Sequence, residues 1–258
     1  MTAEWETADD YSSYLRLDLI LDAQRPLSEH HDEMLFIVVH QATELWMKLI
    51  IHEVEYAQRN VAADELGPAV KALARVVRTF EVMTWHWQVL STMTPADYLM
   101  FRSRLGSASG LQSVQYRAIE ILFGRRRPSI LRRHPPDERA YLHRLSDRPS
   151  LYDEVVALLG RRGFEVGPVA WGKVEPRVVD AWLTVYRDPD SHWDLYELGE
   201  KLLDVEHAFS RWRFEHFQTV RRIIGRKRGT GGTSGLDYLR RAVDHVYFPE
   251  LWEVRTRL

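Results

Sequence analysis

Residues 31–59 place apolar side chains at Leu35, Val38, Val39, Ala42, Leu45, Trp46, Leu49, Ile50 and Val54. This i, i+3, i+4, i+7 series gathers on one face only if the chain is helical. A run of that length is too long for a strand and commits the chain to helix packing. Ser28 is the expected N-cap, and Asp32 and Glu33 suit the positive end of the helix dipole. Gly67-Pro68 opens a second long helix, about 68–91, and Thr94-Pro95-Ala96-Asp97 starts a third with a capping hydroxyl, proline at N1 and an acid at N3. Gly106 to Gly110 interrupts that helix, and helical spacing resumes from Gln112 to Phe123.

Pro128, Pro135, Pro136 and Pro149 make residues 125–149 a connector with one short helix. Ser150 to Asp153 reads as a capping-box start. Residues 163–177 are irregular, and helices are expected at about 177–187, 191–224 and 235–246. Strand alternation, internal repeats and linkers are not found. The fold class is therefore all-α, a single-domain helical bundle over residues 1–258.

A chain of 258 residues can bury a sizeable core. Its formal net charge of −2 gives no reason to expect nucleic acid or an anionic membrane as a partner. The absence of cysteine excludes disulfides, thiolate metal sites and cysteine nucleophiles. The first ten residues are acidic and polar, the reverse of a signal peptide, and the longest clean apolar run, Met34 to Val39, is far short of a membrane span. A cytoplasmic protein is expected. Nine tryptophans and eleven histidines are many for this length, and such aromatic content suits a large flat pocket.

His216 shares a helical face with Phe209, Trp212, Val220 and Ile223. Spacing leaves two readings open: a core histidine satisfied by a hydrogen bond, or a neutral axial ligand to haem iron. His40, one turn after Phe36, is similarly ambiguous. The run Glu29-His30-His31-Asp32-Glu33 looks like a ligand set on paper, but at a helix start it reads as a solvated cap. Arg102 is either a surface charge or a bidentate clamp on a carboxylate. The glycine-dense loop Gly225 to Gly235 lacks the spacing of a P-loop. It is a flexible connection, or a lid that brings Thr230 to a small polar ligand.

In order along the chain come Tyr11-Ser-Ser-Tyr14-Leu15, His31 to Gln41, Glu44-Leu-Trp-Met-Lys48 and His52-Glu53. Tyr98-Leu-Met-Phe101-Arg102, Ser109-Gly-Leu-Gln-Ser113, Gln115-Tyr-Arg117 and Glu120 follow. Trp212-Arg213, His216, Ile224-Gly225, Lys227 to Gly235 and Phe248-Pro-Glu-Leu-Trp252 complete the set. Together these motifs resemble the tryptophan 2,3-dioxygenase family of haem enzymes over nearly the whole chain. The resemblance implies a bundle built around haem b, ferrous in the active state, with dioxygen as co-substrate. The activity implied is cleavage of the indole C2–C3 bond of L-tryptophan to N-formylkynurenine.

By the same resemblance His216 is the axial ligand to the iron, and His40 lies beside the indole nitrogen. Phe36 packs on the indole ring, Tyr98 and Ser109 line the substrate pocket, and Arg102 grips the amino-acid carboxylate. Thr230 helps to hold the carboxylate and ammonium end. Residues 1–30 form an arm that takes Tyr11, Tyr14 and Leu15 into a neighbouring subunit of a homotetramer. The chain departs from the family pattern at Leu111, where phenylalanine is usual, at Ser103, at Ser107-Ala108 and at Thr233. These changes leave an alternative open: a haem-dependent monooxygenase of tryptophan or β-methyl-tryptophan that forms a 2-oxindole.

Overall fold

The computed structural model describes residues 10–126, 134–169, 171–227 and 235–258. Two short helices come first, α1 (Tyr11–Leu15) and α2 (Leu17–Leu21), neither with a buried residue. Next come the long pair α3 (His31–Ala62) and α4 (Leu66–Leu90), then α5 (Pro95–Arg102) and α6 (Val114–Leu122). After them lie α7 (Pro136–Ser146), α8 (Leu151–Arg161), α9 (Pro176–Arg187) and α10 (Trp193–Ile223). α11 (Gly235–Val243) and α12 (Pro249–Arg257) close the chain. Among the described residues there is no strand, as the periodicity required.

The centre of the bundle is α4, which packs along α3 on one side and α10 on the other. The α3–α4 turn is tight because Asp64 adopts a left-handed conformation (φ 65°), which lets the Glu65 N–H reach back to the Asn60 carbonyl at 2.8 Å. α6 and α8 cover the far side of α3, and α12 packs against α9. Phe80 of α4 stacks on Phe209 of α10 at 4.6 Å, both fully buried. α3 is the one helix among the described residues long and apolar enough to cross a membrane by length and composition. Here it carries Glu44 and Lys48 and is flanked by α4, α6 and α8.

Three expectations at the element ends need correction. Ser28 does not cap α3; the cap is His30, whose Nδ1 accepts the Asp32 N–H at 3.3 Å. Ser28 instead donates its hydroxyl and N–H to Glu33, which also takes the Leu27 N–H at 2.9 Å. Glu33 is 2% exposed, so the acidic–histidine run is not a solvated cap throughout. A carboxylate with three donors tolerates burial, which single-residue polarity does not reveal. α12 was not anticipated as a helix, although Pro249 sits at its first turn. The capping boxes at Thr94/Asp97 and Ser150/Asp153 form as read.

Candidate active site

The C-terminal half of α10 carries Trp212, His216, Thr219, Val220 and Ile223 three or four residues apart, one stripe of the helix. That stripe, Trp87 and Leu90 of α4, and Phe36, His40, Thr43 and Met47 of α3 enclose a cavity of about 210 Å³. Tyr98, the turn Ser109–Leu111, Tyr116 and Arg117 close one side, and Tyr238, Leu239 and Ala242 of α11 close another. α10 stops here because Gly225 turns left-handed (φ 65°) and its N–H bonds the Val220 carbonyl at 3.3 Å.

Both histidines face this cavity as neutral rings. His40 Nδ1 lies 2.7 Å from the Phe36 carbonyl. A carbonyl only accepts, so Nδ1 carries the proton and Nε2 keeps its lone pair. Burial holds the His40 pKa below its ordinary value, against the opposing pull of that bond and of Glu44. Burial also pushes His216 down to about 3, with His40 adding to the shift. His216 makes no hydrogen bond among the described residues. Its ring stacks on Trp87 at 4.4 Å with 13° between the planes, and tilts by 31° from Trp212 at 5.8 Å.

The α6 side of the wall carries buried, paired charge. Arg117 is 4% exposed, 2.5 Å from Glu120 and 2.7 Å from the Tyr238 hydroxyl. Glu120 is shared with Arg125, which also lies against the His245 ring. Arg213 is buried between Phe209 and Tyr247, its guanidinium carbon 4.4 and 5.3 Å from their ring centres, and donates to the His245 carbonyl at 3.0 Å. The indole N–H groups of Trp87 and Trp212 are buried and have no partner among the described residues. Buried polar hydrogens are normally bonded, so two orphans on one cavity wall mark a place for acceptors that a ligand brings.

Of the residues singled out from sequence, Phe36, His40, Tyr98, Ser109 and His216 meet at this cavity. Phe36 lies 4.1 Å from His40, 6.2 Å from Tyr98 and 5.7 Å from Phe101, ring centre to ring centre. Ser109 spends its hydroxyl on the Leu111 N–H at 3.3 Å, which holds the turn and sets Leu111 into the wall. Arg102 stands one turn beyond Tyr98 and bonds its hydroxyl, just behind the wall rather than in it. Thr230 lies outside the described residues. Tyr11 and Tyr14 are 74% exposed and Leu15 is exposed as well, so in this chain they take no part in the cavity. Reasoning from sequence passed over Trp87, Leu90, Met93 and Tyr238 and gave Tyr116 no role, though it lies in the quoted Gln115-Tyr-Arg117; Trp85-His86-Trp87 was a further legible hint, since a helix puts only one of its two tryptophans inside.

Among the described residues no group of three histidine, aspartate or glutamate side chains could hold a metal ion. An iron here would need equatorial ligands of its own. A family model described as Tryptophan 2,3-dioxygenase matches residues 2–152 and 177–258. The unmatched stretch takes in most of α8 and the irregular segment before α9. A protein of Bradyrhizobium sp. strain BTAi1 named tryptophan 2,3-dioxygenase is 54% identical over 96% of this chain and 92% of its own length. Relatives of the same name from Polaromonas naphthalenivorans and Cupriavidus necator are 52% and 50% identical, each over 99% of this chain and 94% and 91% of their own lengths.

Proposed function

The chain belongs to the tryptophan 2,3-dioxygenase family, and from that premise we propose how its cavity divides the work of the family's reaction. The protein is a haem-dependent dioxygenase that opens the indole C2–C3 bond of L-tryptophan to give N-formylkynurenine. The monooxygenase alternative raised by Leu111 and its neighbours finds no support in these relatives. One buried aliphatic group in place of an aromatic one changes selectivity only modestly.

The cavity fits the cofactor. It has an apolar floor, a neutral imidazole without a hydrogen bond, buried cations and two unpartnered indole donors. His216 would ligate the iron. Arg117, Tyr238 and the Trp212 N–H stand where carboxylates of a planar macrocycle would find charge and donors. The haem supplies the activation of dioxygen, and the rest falls to the protein as positioning and water exclusion.

His40 offers Nε2 as an acceptor for the substrate's indole N–H, because Nδ1 is committed to Phe36. Phe36 would pack on the indole ring, with Tyr98 and Ser109 bounding the same space. Arg102 would take the substrate carboxylate by leaving or sharing its contact with Tyr98, and Thr230 would hold the polar end from the glycine loop. The observation that carries this reading is the pair of neutral histidines facing one apolar cavity from α3 and α10.

A single oxygenase domain, working in the cytoplasm as part of a homotetramer, completes the reading. Met34, Val38, Val82, Trp85, Val89 and Met100 are exposed on α3, α4 and α5, and Trp85 and Met100 are about two-thirds bare. So much exposed apolar surface suits contact with further copies. Residues 1–30 would then bring Tyr11, Tyr14 and Leu15 to a neighbour's cavity.

The test is reaction of the reduced, haem-loaded enzyme with L-tryptophan under labelled dioxygen. Two labelled atoms in N-formylkynurenine are expected, and one labelled atom would overturn the reading. Arg102→Ala should mainly raise the substrate KM; loss of haem instead would remove Arg102 from the substrate's side.

A further inference from the structure

We infer that Trp87 is the positioning residue that sets the plane of the His216 ring, by stacking where many haem sites use a hydrogen bond. This rests on His216 as the iron's ligand. An imidazole bound through one nitrogen can still rotate about the bond to iron, and its plane relative to the porphyrin affects the ligand field. Ordinarily the second ring nitrogen donates to a carboxylate, carbonyl or water, which stops that rotation. Among the described residues no carboxylate or carbonyl takes that place beside His216.

What His216 has instead is the face of Trp87, 4.4 Å away and within 13° of parallel. Turning the imidazole about its axis would drive its edge into the indole. Trp212 closes the remaining sector at 5.8 Å. Trp87 is itself well held: it is 3% exposed, lies 5.6 Å from Trp212 and meets the His40 ring edge-on at 6.2 Å. It sits on α4, between α3 and α10, with these rings packed around its indole. Packing alone does not select tryptophan here. Its N–H is buried without a partner, a cost that an aliphatic side chain would not carry. A large flat face is what the position provides and an aliphatic side chain would not.

The experiment uses His216→Gly protein loaded with haem and titrated with free imidazole, following the haem absorption bands. Imidazole should restore the axial spectrum. In His216→Gly/Trp87→Leu its dissociation constant should rise roughly two- to tenfold, the range implied by loss of one aromatic pair. In His216→Gly/Trp87→Phe, which keeps a ring, the constant should stay within about twofold of the His216→Gly value. With His216 present, Trp87→Leu should shift and broaden the ferrous iron–histidine stretching band, and Trp87→Phe should preserve it.

Equal imidazole binding with and without the indole would overturn the inference, and so would an equal loss in the phenylalanine and leucine variants. If leucine unfolds the chain, seen as loss of the helical circular-dichroism signal, Trp87→Met makes the same test. Failure of the underlying ligand assignment looks different: His216→Gly protein would keep its native haem spectrum with no imidazole added.

Discussion

Two stations on α10 treat their buried polar groups in opposite ways. Near the middle of the helix, Glu206 is 4% exposed and accepts the Tyr247 N–H at 3.1 Å, the Phe248 N–H at 2.9 Å and the Trp252 indole N–H at 2.9 Å. That carboxylate ties the strap before α12 onto the helix. Ten residues further on, His216 has no hydrogen bond among the described residues and Trp212 carries an orphaned N–H. Both lie on one amphipathic helix that packs against α4, so composition does not separate them. A buried group with all its partners stabilises the fold, whereas one without them costs stability unless something else binds. The satisfied carboxylate holds the scaffold together, while the unpartnered Trp212 and His216 line the cavity.

His216→Ala should break this contrast most visibly. It should abolish the native haem spectrum while costing the haem-free protein no more than about 1.5 kcal/mol, the scale of the aromatic pair with Trp87 that it loses. A chemical denaturation curve of the apoprotein beside an absorption spectrum of the loaded one checks both. Glu120→Ala should act through the fold, since it strands the buried Arg117 and Arg125. Its expected cost is about 3–5 kcal/mol in denaturant unfolding, the scale for an uncompensated buried charge. Glu206→Ala should come next, at about 2–4 kcal/mol, because two backbone N–H groups and an indole lose their acceptor. Haem binding should largely survive it, and equal loss of both would erase the distinction between the two stations.

Trp212→Phe should behave in the reverse way. Removing an orphaned donor should leave the apoprotein as stable or more stable by up to about 1 kcal/mol. The same variant should lose haem faster to a competing apoglobin. The smallest effect concerns pH and two buried carboxylates of opposite sign. Burial raises the Glu33 pKa, but Ser28 and the Leu27 N–H outweigh it and hold the group below the ordinary carboxylate range. Its contribution is present above the unfolded pKa and is lost as pH falls through the folded one. Burial wins at Glu206, whose pKa is raised despite the Phe248, Trp252 and Tyr247 donors. That contribution is present below the unfolded pKa and fades as pH climbs through the folded one. Glu33→Gln should therefore flatten the acid limb of the stability–pH profile, and an unchanged limb would refute the role given to Ser28.

Much of the fold was legible because its signals are local. Apolar spacing placed α3, α4 and α10 within a few residues, and the Thr94 and Ser150 caps lie where a hydroxyl precedes an acid by three. Motif order identified the family and, through it, five residues that meet at the cavity. Glu33 lies in the first turn as read, but Ser28 was misread as the cap and Glu33 as solvated, because their partnership spans a turn whose shape periodicity does not encode.

The sequence by itself determined that the chain is helical, which faces of its helices are apolar, and which histidines lie on them. It could not determine which polar groups on those faces are satisfied, because that depends on partners brought from far along the chain. Glu206 and Trp212 are six residues apart on one helix. Glu206 meets the Tyr247–Trp252 segment and is completed, while Trp212 meets Trp87 and a cavity and is left with a hydrogen to give. Only tertiary packing chooses between those outcomes, since hydrogen bonding depends on distance and direction in space rather than position in the chain.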